Sequence, residues 1–186
     1  MAELRISVAE TIDGVNAGEW DACANPHAGG GNAAGRAANG QALASGAPGA
    51  DEQAYNPFIS HAFLSALEQS NSVGARSGWQ PQHVVARTAD GALVAAAPCY
   101  IKTHSRGEYV FDHGWADAYA RAGGSYYPKL QVTVPFTPVT GRRLLVREGA
   151  NSESIARALA AGLVEICNMC GTSGVHVTFA PESECH

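Results

Sequence analysis

His83-Val84-Val85-Ala86-Arg87-Thr88-Ala89-Asp90-Gly91-Ala92-Leu93-Val94-Ala95-Ala96-Ala97-Pro98-Cys99-Tyr100-Ile101 is the stretch that decides the fold. Its ends are β-prone runs, His83 to Arg87 and Ala92 to Ile101, with Ala89-Asp90-Gly91 between them. Asp-Gly tolerates the positive φ values of a tight reversal, so the stretch predicts two antiparallel strands joined as a hairpin. A hairpin needs no crossover helix. The centre of the domain is therefore antiparallel, unlike a doubly wound nucleotide-binding sheet.

Working outward, the same reading assigns the flanks. Glu3 to Val8 is a first strand. Asn16-Ala17-Gly18-Glu19 has the pattern of a capping box, and the helix after it carries Trp20 and Cys23 on one side until Pro26 stops it. Ser60 opens a second helix through Phe63, Leu64 and Leu67 to about Ser70. His61 follows that cap and reads as a structural hydrogen-bonder. Downstream, Tyr109 to Phe111 is expected as a third strand after a turn at Ser105-Arg106-Gly107. Trp115 to Arg121 is expected as a short helix ending at Gly123-Gly124. Leu130 to Phe136 alternates as a strand, with Gln131, Thr133 and Pro135 on one face. Arg143 to Val146 is a further short strand.

The clearest helix comes next. Asn151 or Ser152 caps it, Ile155, Leu159, Leu163, Ile166 and Cys170 form its apolar stripe, and Gly171 ends it. Val175 to Phe179 is the last strand. The order predicts an α+β fold, a mixed and mainly antiparallel sheet flanked by helices. The long helix should lie across a sheet built from Val84, Val94, Val110 and Val132.

The segment from about 26 to 54 reads differently. It holds seven of the chain's 21 glycines and almost nothing large and apolar. Such a composition cannot offset the entropy of ordering its backbone, so a flexible insertion is expected within a single domain spanning 1–186. Proteolysis should nick the chain there first.

The 186 residues are 46% hydrophobic and 16% charged, with a formal charge of −5. No basic stripe is present, which argues against DNA. No apolar run reaches the length of a membrane span, and Met1 to Glu10 lacks the apolar core of a signal peptide, so a cytoplasmic location is expected. Five cysteines, an odd number, do not suggest a disulfide framework. Cys167-x-x-Cys170 with Cys185-His186 has the residue types of a zinc quartet. The first pair falls on the long helix, however, with Cys170 assigned to its core stripe, so no metal is expected.

Four segments carry a resemblance: Asn56-Pro57-Phe58-Ile59-Ser60-His61-Ala62-Phe63-Leu64; Gly78-Trp79-Gln80-Pro81-Gln82-His83; Glu108 to Tyr119 (EYVFDHGWADAY); and Tyr126-Tyr127-Pro128-Lys129-Leu130-Gln131 running on to Pro135-Phe136-Thr137-Pro138-Val139-Thr140-Gly141. In these the chain resembles the FemAB-like N-acyltransferases of peptidoglycan biosynthesis or recognition. The resemblance implies a GNAT-like domain, the first half of a tandem, so that the chain reads as truncated. It implies transfer of an acyl or aminoacyl group from acyl-CoA or aminoacyl-tRNA to the amine of a small molecule or cell-wall precursor. It also implies packing against a second GNAT-like half, or self-association. The alternative is a non-catalytic half that recognises a substrate.

Acyl transfer to an amine needs a proton acceptor and groups that hold the donor. Asp112 and His113 are the catalytic candidates, a carboxylate beside an imidazole. Adjacent residues of a strand face opposite ways, so a structural role for His113 stands beside the catalytic one. Trp115, Tyr126, Tyr127 and Lys129 are candidates for lining a substrate groove. Thr140, Arg142 and Arg143 precede the long helix, where a donor phosphate would sit. That stretch lacks the glycine spacing of a backbone cradle, so both arginines also read as solvated loop charges whose loss changes stability little. No tightly bound cofactor is expected.

Overall fold

The computed structural model describes residues 3–26, 55–149 and 151–185. The first strand, β1 (Leu4–Ala9), leads to helix α1 (Ala17–Ala24), which Asn16 caps by accepting from Glu19 N–H at 3.1 Å. Helix α2 (His61–Gln69) is capped by Ser60. Strands β2 (Trp79–Pro81), β3 (His83–Thr88), β4 (Leu93–Ala97) and β5 (Cys99–Lys102) follow, then α3 (His113–Arg121), β6 (Lys129–Val132), β7 (Leu145–Val146), α4 (Ser152–Met169) and β8 (Val175–Val177). The expected insertion lies, apart from Pro26, outside the described residues.

The strands form two four-stranded sheets. The first has the order β1-β3-β4-β7 and is antiparallel throughout. The second has the order β2-β5-β6-β8, with only β6 and β8 parallel. The fold is α+β and mostly antiparallel, and the β3–β4 hairpin turns at Gly91 with φ 90°.

Three expectations are corrected. Ala92 to Ile101 is two strands, not one. Pro98 has no N–H to give to a ladder, so the chain leaves the first sheet as β4 and enters the second as β5. Tyr109 to Phe111 is not a strand. Tyr109 has φ 57°, a left-handed value that breaks an extended run, and Val110 takes no place in either sheet. Cys170 is exposed, because α4 ends at Met169 and Gly171 turns left-handed just beyond it (φ 63°). Cys167 takes the inward place instead.

Two apolar cores flank the first sheet. Trp20, Ile59 and Leu64 from the α1–α2 side meet Val85, Leu93, Ala96 and Leu145. On the other side Leu159, Leu163 and Ile166 of α4 pack on Val84, Ala86, Ala95 and Ala97, and reach Cys99, Leu130 and Val132 of the second sheet. One helix thus joins both sheets. Leu163→Ala should cost about 3 kcal/mol, read as a lower urea midpoint with an unchanged slope.

The histidines near these cores are structural. His61 Nε2 lies 3.0 Å from the carbonyls of Ile12 and Val15. His83 is buried, pairs through Nε2 with Glu68 at 2.9 Å, and accepts from Cys99 N–H at Nδ1. Glu68 also accepts from Ile12 N–H, tying α2 to the first sheet.

Candidate functional site

Side chains alternate along a strand, so the second sheet has two faces. Leu130 and Val132 turn toward α4, while Lys129, Gln131 and Thr133 turn the other way. Register adds Tyr100 and Lys102, which stand opposite Gln131 and Lys129, and Trp79, opposite Lys102. All six are buried. In sequence this polar row looks like a solvent face; the structure covers it with the loops at 103–112 and 133–141.

Two lysines opposed in register on a buried face repel, and each carries a desolvation cost. The loop before α3 supplies the compensation. Lys129 Nζ donates to Glu108 Oε2 at 2.7 Å and to Asp112 Oδ2 at 2.6 Å. Tyr127 donates its hydroxyl to Asp112 Oδ1 at 3.0 Å. Both Asp112 oxygens are therefore engaged, and the carboxylate makes no cap bond to α3. Lys102 Nζ lies over the Trp79 ring, 3.8 Å from its centroid, and donates to Arg106 O at 3.0 Å. It approaches Glu108 Oε1 only to 4.0 Å. Glu108 Oε1 is buried without a hydrogen-bond partner, as are Trp79 Nε1 and Gln131 Oε1.

The electrostatics separate the two carboxyls. Burial pushes Glu108 above the usual carboxylate range despite Lys129. Burial acts on Asp112 in the same direction, but the Lys129 and tyrosine hydrogen bonds outweigh it and hold Asp112 below that range. Burial and the facing Lys129 bring Lys102 down to about 8, against the opposing pull of Glu108. Burial, with Asp112 nearby, pushes Tyr126 up to about 12.

Gly107 makes the close packing possible. Its φ is 83°, and a Cβ there would fall 2.5 Å from the Phe136 ring and 3.1 Å from Trp79 Nε1. Phe136 N–H donates to Gly107 O at 3.0 Å, joining the two covering loops. Tyr109 and Phe136 both hold left-handed backbone on either side of this joint (φ 57° and 58°). Strain of this kind persists where surrounding contacts enforce it.

The structure brings Asp112, Tyr126, Tyr127 and Lys129 together. His113 is exposed and turns outward to Ser105 Oγ, 3.2 Å from its Nδ1. Trp115 and Thr140 are exposed. Arg142 and Arg143 spend their guanidiniums on backbone carbonyls, and Arg143 is fully buried rather than a solvated loop charge. Lys102, Glu108, Trp79 and Gln131 were missed as site residues. For Lys102 and Gln131 the signal is a polar residue at every second position of otherwise apolar strands; Glu108 lies in a loop and Trp79 is apolar, so neither carries it. Among the described residues no group of three His, Cys, Asp or Glu side chains is placed to hold a metal, and no helix is long and apolar enough to cross a membrane.

The FemAB-like family model, described as peptidoglycan biosynthesis/recognition, matches residues 11–186. The chain belongs to the FemAB-like family. Searches of curated proteins and of solved structures return no match. In this FemAB-like chain the matched region contains the whole network of Lys102, Glu108, Asp112, Tyr127 and Lys129.

Proposed function

We propose that this FemAB-like chain takes part in peptidoglycan metabolism as an N-acyltransferase, with a GNAT-like architecture that packs against a second such half. In this reading the donor is an acyl-CoA or an aminoacyl-tRNA, and the acceptor is an amine of a cell-wall precursor. The amine nitrogen bonds to the acyl carbon, and the bond from that carbon to the thiolate of CoA or the ribose oxygen of tRNA breaks. The amine proton must go to a base and then to the leaving group.

Glu108 is the base in this scheme, because its Oε1 is the one carboxylate oxygen of the network left without a hydrogen-bond partner. Burial raises its affinity for a proton above that of an ordinary carboxylate, the direction a general base needs. Lys129, Asp112 and Tyr127 position it. Asp112, the other carboxylate of the network and a catalytic candidate from the sequence, is not given the base role in this scheme, since both its oxygens accept hydrogen bonds. His113 has no part in it.

The test is transfer of a radiolabelled acetyl or aminoacyl group from acetyl-CoA or charged tRNA to a diamino-acid-containing stem peptide. Glu108→Gln should lower kcat by about 100-fold or more with little change in KM, and should remove the rise of rate with pH. No transfer from either donor by the unaltered chain, or full activity in Glu108→Gln, would count against the scheme.

A further inference from the structure

Helix α3 is short and amphipathic, yet it buries none of its residues. At four-residue spacing Trp115 and Tyr119 share one face, with exposures of 68% and 47%. His113, Asp117 and Arg121 repeat at the same spacing on the opposite face. The aromatic face leads into the site. The Tyr119 ring meets Tyr126 at 5.5 Å, Tyr126 meets Tyr127 at 5.0 Å and His176 at 5.4 Å, and Lys129 Nζ lies 5.3 Å from the Tyr126 centroid. Trp115 and Tyr119 are thus exposed aromatics beside half-buried Tyr126 and the buried charge network, the kind of surface patch that marks a binding face.

Its chemistry narrows the partner. The surface offers flat rings with polar atoms at their edges, an indole N–H and phenol hydroxyls. That matches a ligand with an apolar C–H face and a polar rim. The network beneath it has two ammonium and two carboxylate groups, which balance. A neutral group is therefore favoured beside it over an anion or a cation. Peptidoglycan, the polymer in the family's description, is built from N-acylated amino sugars, whose pyranose rings are neutral and have such a face. We propose that Trp115 and Tyr119 form a stacking face for an N-acylated amino-sugar ring, with Tyr126, set at 74° to Tyr119, bordering it beside the Lys129 site. The proposal rests on the reading of that site as one that handles peptidoglycan-type substrates.

The molecule supplies its own probe. Trp20 and Trp79 are fully buried, so a solvent-sensitive change in tryptophan emission reports Trp115. The unaltered chain titrated with tri-N-acetylchitotriose should show a saturable blue shift. Trp115→Ala should abolish it, and Trp115→Phe, followed by calorimetry, should keep most of the affinity. Tyr119→Ala should weaken binding about tenfold. Trp115 is largely exposed, so its variants should keep the melting temperature of the unaltered chain; Tyr119→Ala loses one ring contact with Tyr126 and should lower it only slightly. Chitosan trimer, which carries ammonium groups in place of the acetamides, should bind more weakly. No emission change in the unaltered chain, equal binding by Trp115→Ala, or a blue shift without sugar that tracks dimer formation in sedimentation would each overturn the proposal. The transfer assay fails or succeeds separately. Sugar binding without transfer leaves the stacking face standing and removes the acyltransferase reading, and transfer without sugar binding does the reverse.

Discussion

Lys129→Met should lower the unfolding free energy by about 3–5 kcal/mol, the usual cost of leaving buried charges without their partner. Lys129 alone contacts both Glu108 and Asp112 at hydrogen-bond distance, and all three side chains are almost wholly buried. Methionine keeps the volume, so the loss reports charge rather than a cavity. The pH dependence has a definite sign. Asp112 is held below its ordinary range in the folded chain, so its contribution is present above its unfolded pKa and fades as pH falls through the folded one. Glu108 is raised, so its contribution is full below its unfolded pKa and fades as pH rises through the folded one. Without Lys129 both carboxyls move up, and ionising either costs stability. The deficit of the variant should therefore be small in acid and grow toward neutral pH. Urea midpoints of the two proteins across that range decide the matter. A deficit that does not change with pH would mean that Lys129 acts by packing. The triple variant Lys129→Met with Glu108→Gln and Asp112→Asn should recover part of the loss, because it removes the stranded charges.

How far the sequence could be read depended on whether a signal was local. The α4 stripe of Leu159, Leu163 and Ile166 needs only helical periodicity, and it packs where that periodicity sends it. Asp90-Gly91 likewise sets its hairpin by local backbone preference. Pro98 was visible too, but a proline inside an apolar run does not say which sheet the chain joins next; that depends on distant β6 and β7. Cys170 fits the stripe by spacing and still lies outside the core, because α4 ends one residue earlier.

The site shows the same division. Lys129, Tyr126, Tyr127 and Asp112 were legible as polar and aromatic residues close in sequence. Their assembly with Lys102 and Trp79 depends on the register of β2, β5 and β6, which no local pattern carries. The row of Lys129, Gln131 and Thr133 could be recognised as one face of a strand. Alternation cannot distinguish a polar face in water from one buried under loops, and that difference is what makes the row a candidate site.

Arg143→Ala should cost about 3–5 kcal/mol, contrary to what its place in a loop suggests. The side chain is fully buried. Nε donates to Thr178 O at 2.9 Å, Nη1 to Gly141 O at 2.9 Å and Arg142 O at 3.1 Å, and Nη2 to Val139 O at 2.7 Å. Burial brings its pKa down to about 10, which still leaves it charged at neutral pH. The backbone around it is held as well: Arg143 N–H and Leu144 N–H both donate to Glu184. One guanidinium thus satisfies carbonyls from the loop before β7 and from the segment after β8, and alanine would strand all of them. Lysine cannot reproduce the planar fork, so Arg143→Lys should recover little. Arg142 makes two carbonyl bonds, to Cys23 at 3.2 Å and Val146 at 2.8 Å, and is only partly buried, so Arg142→Ala should cost less. The same loop follows Phe136, whose ring packs on Trp79 and whose N–H holds Gly107. Loosening it should therefore reach the site, and tryptophan emission from Trp79 should shift to the red in Arg143→Ala before global unfolding. Equal urea midpoints for Arg143→Ala and the unaltered chain would remove Arg143 as the tie between these segments.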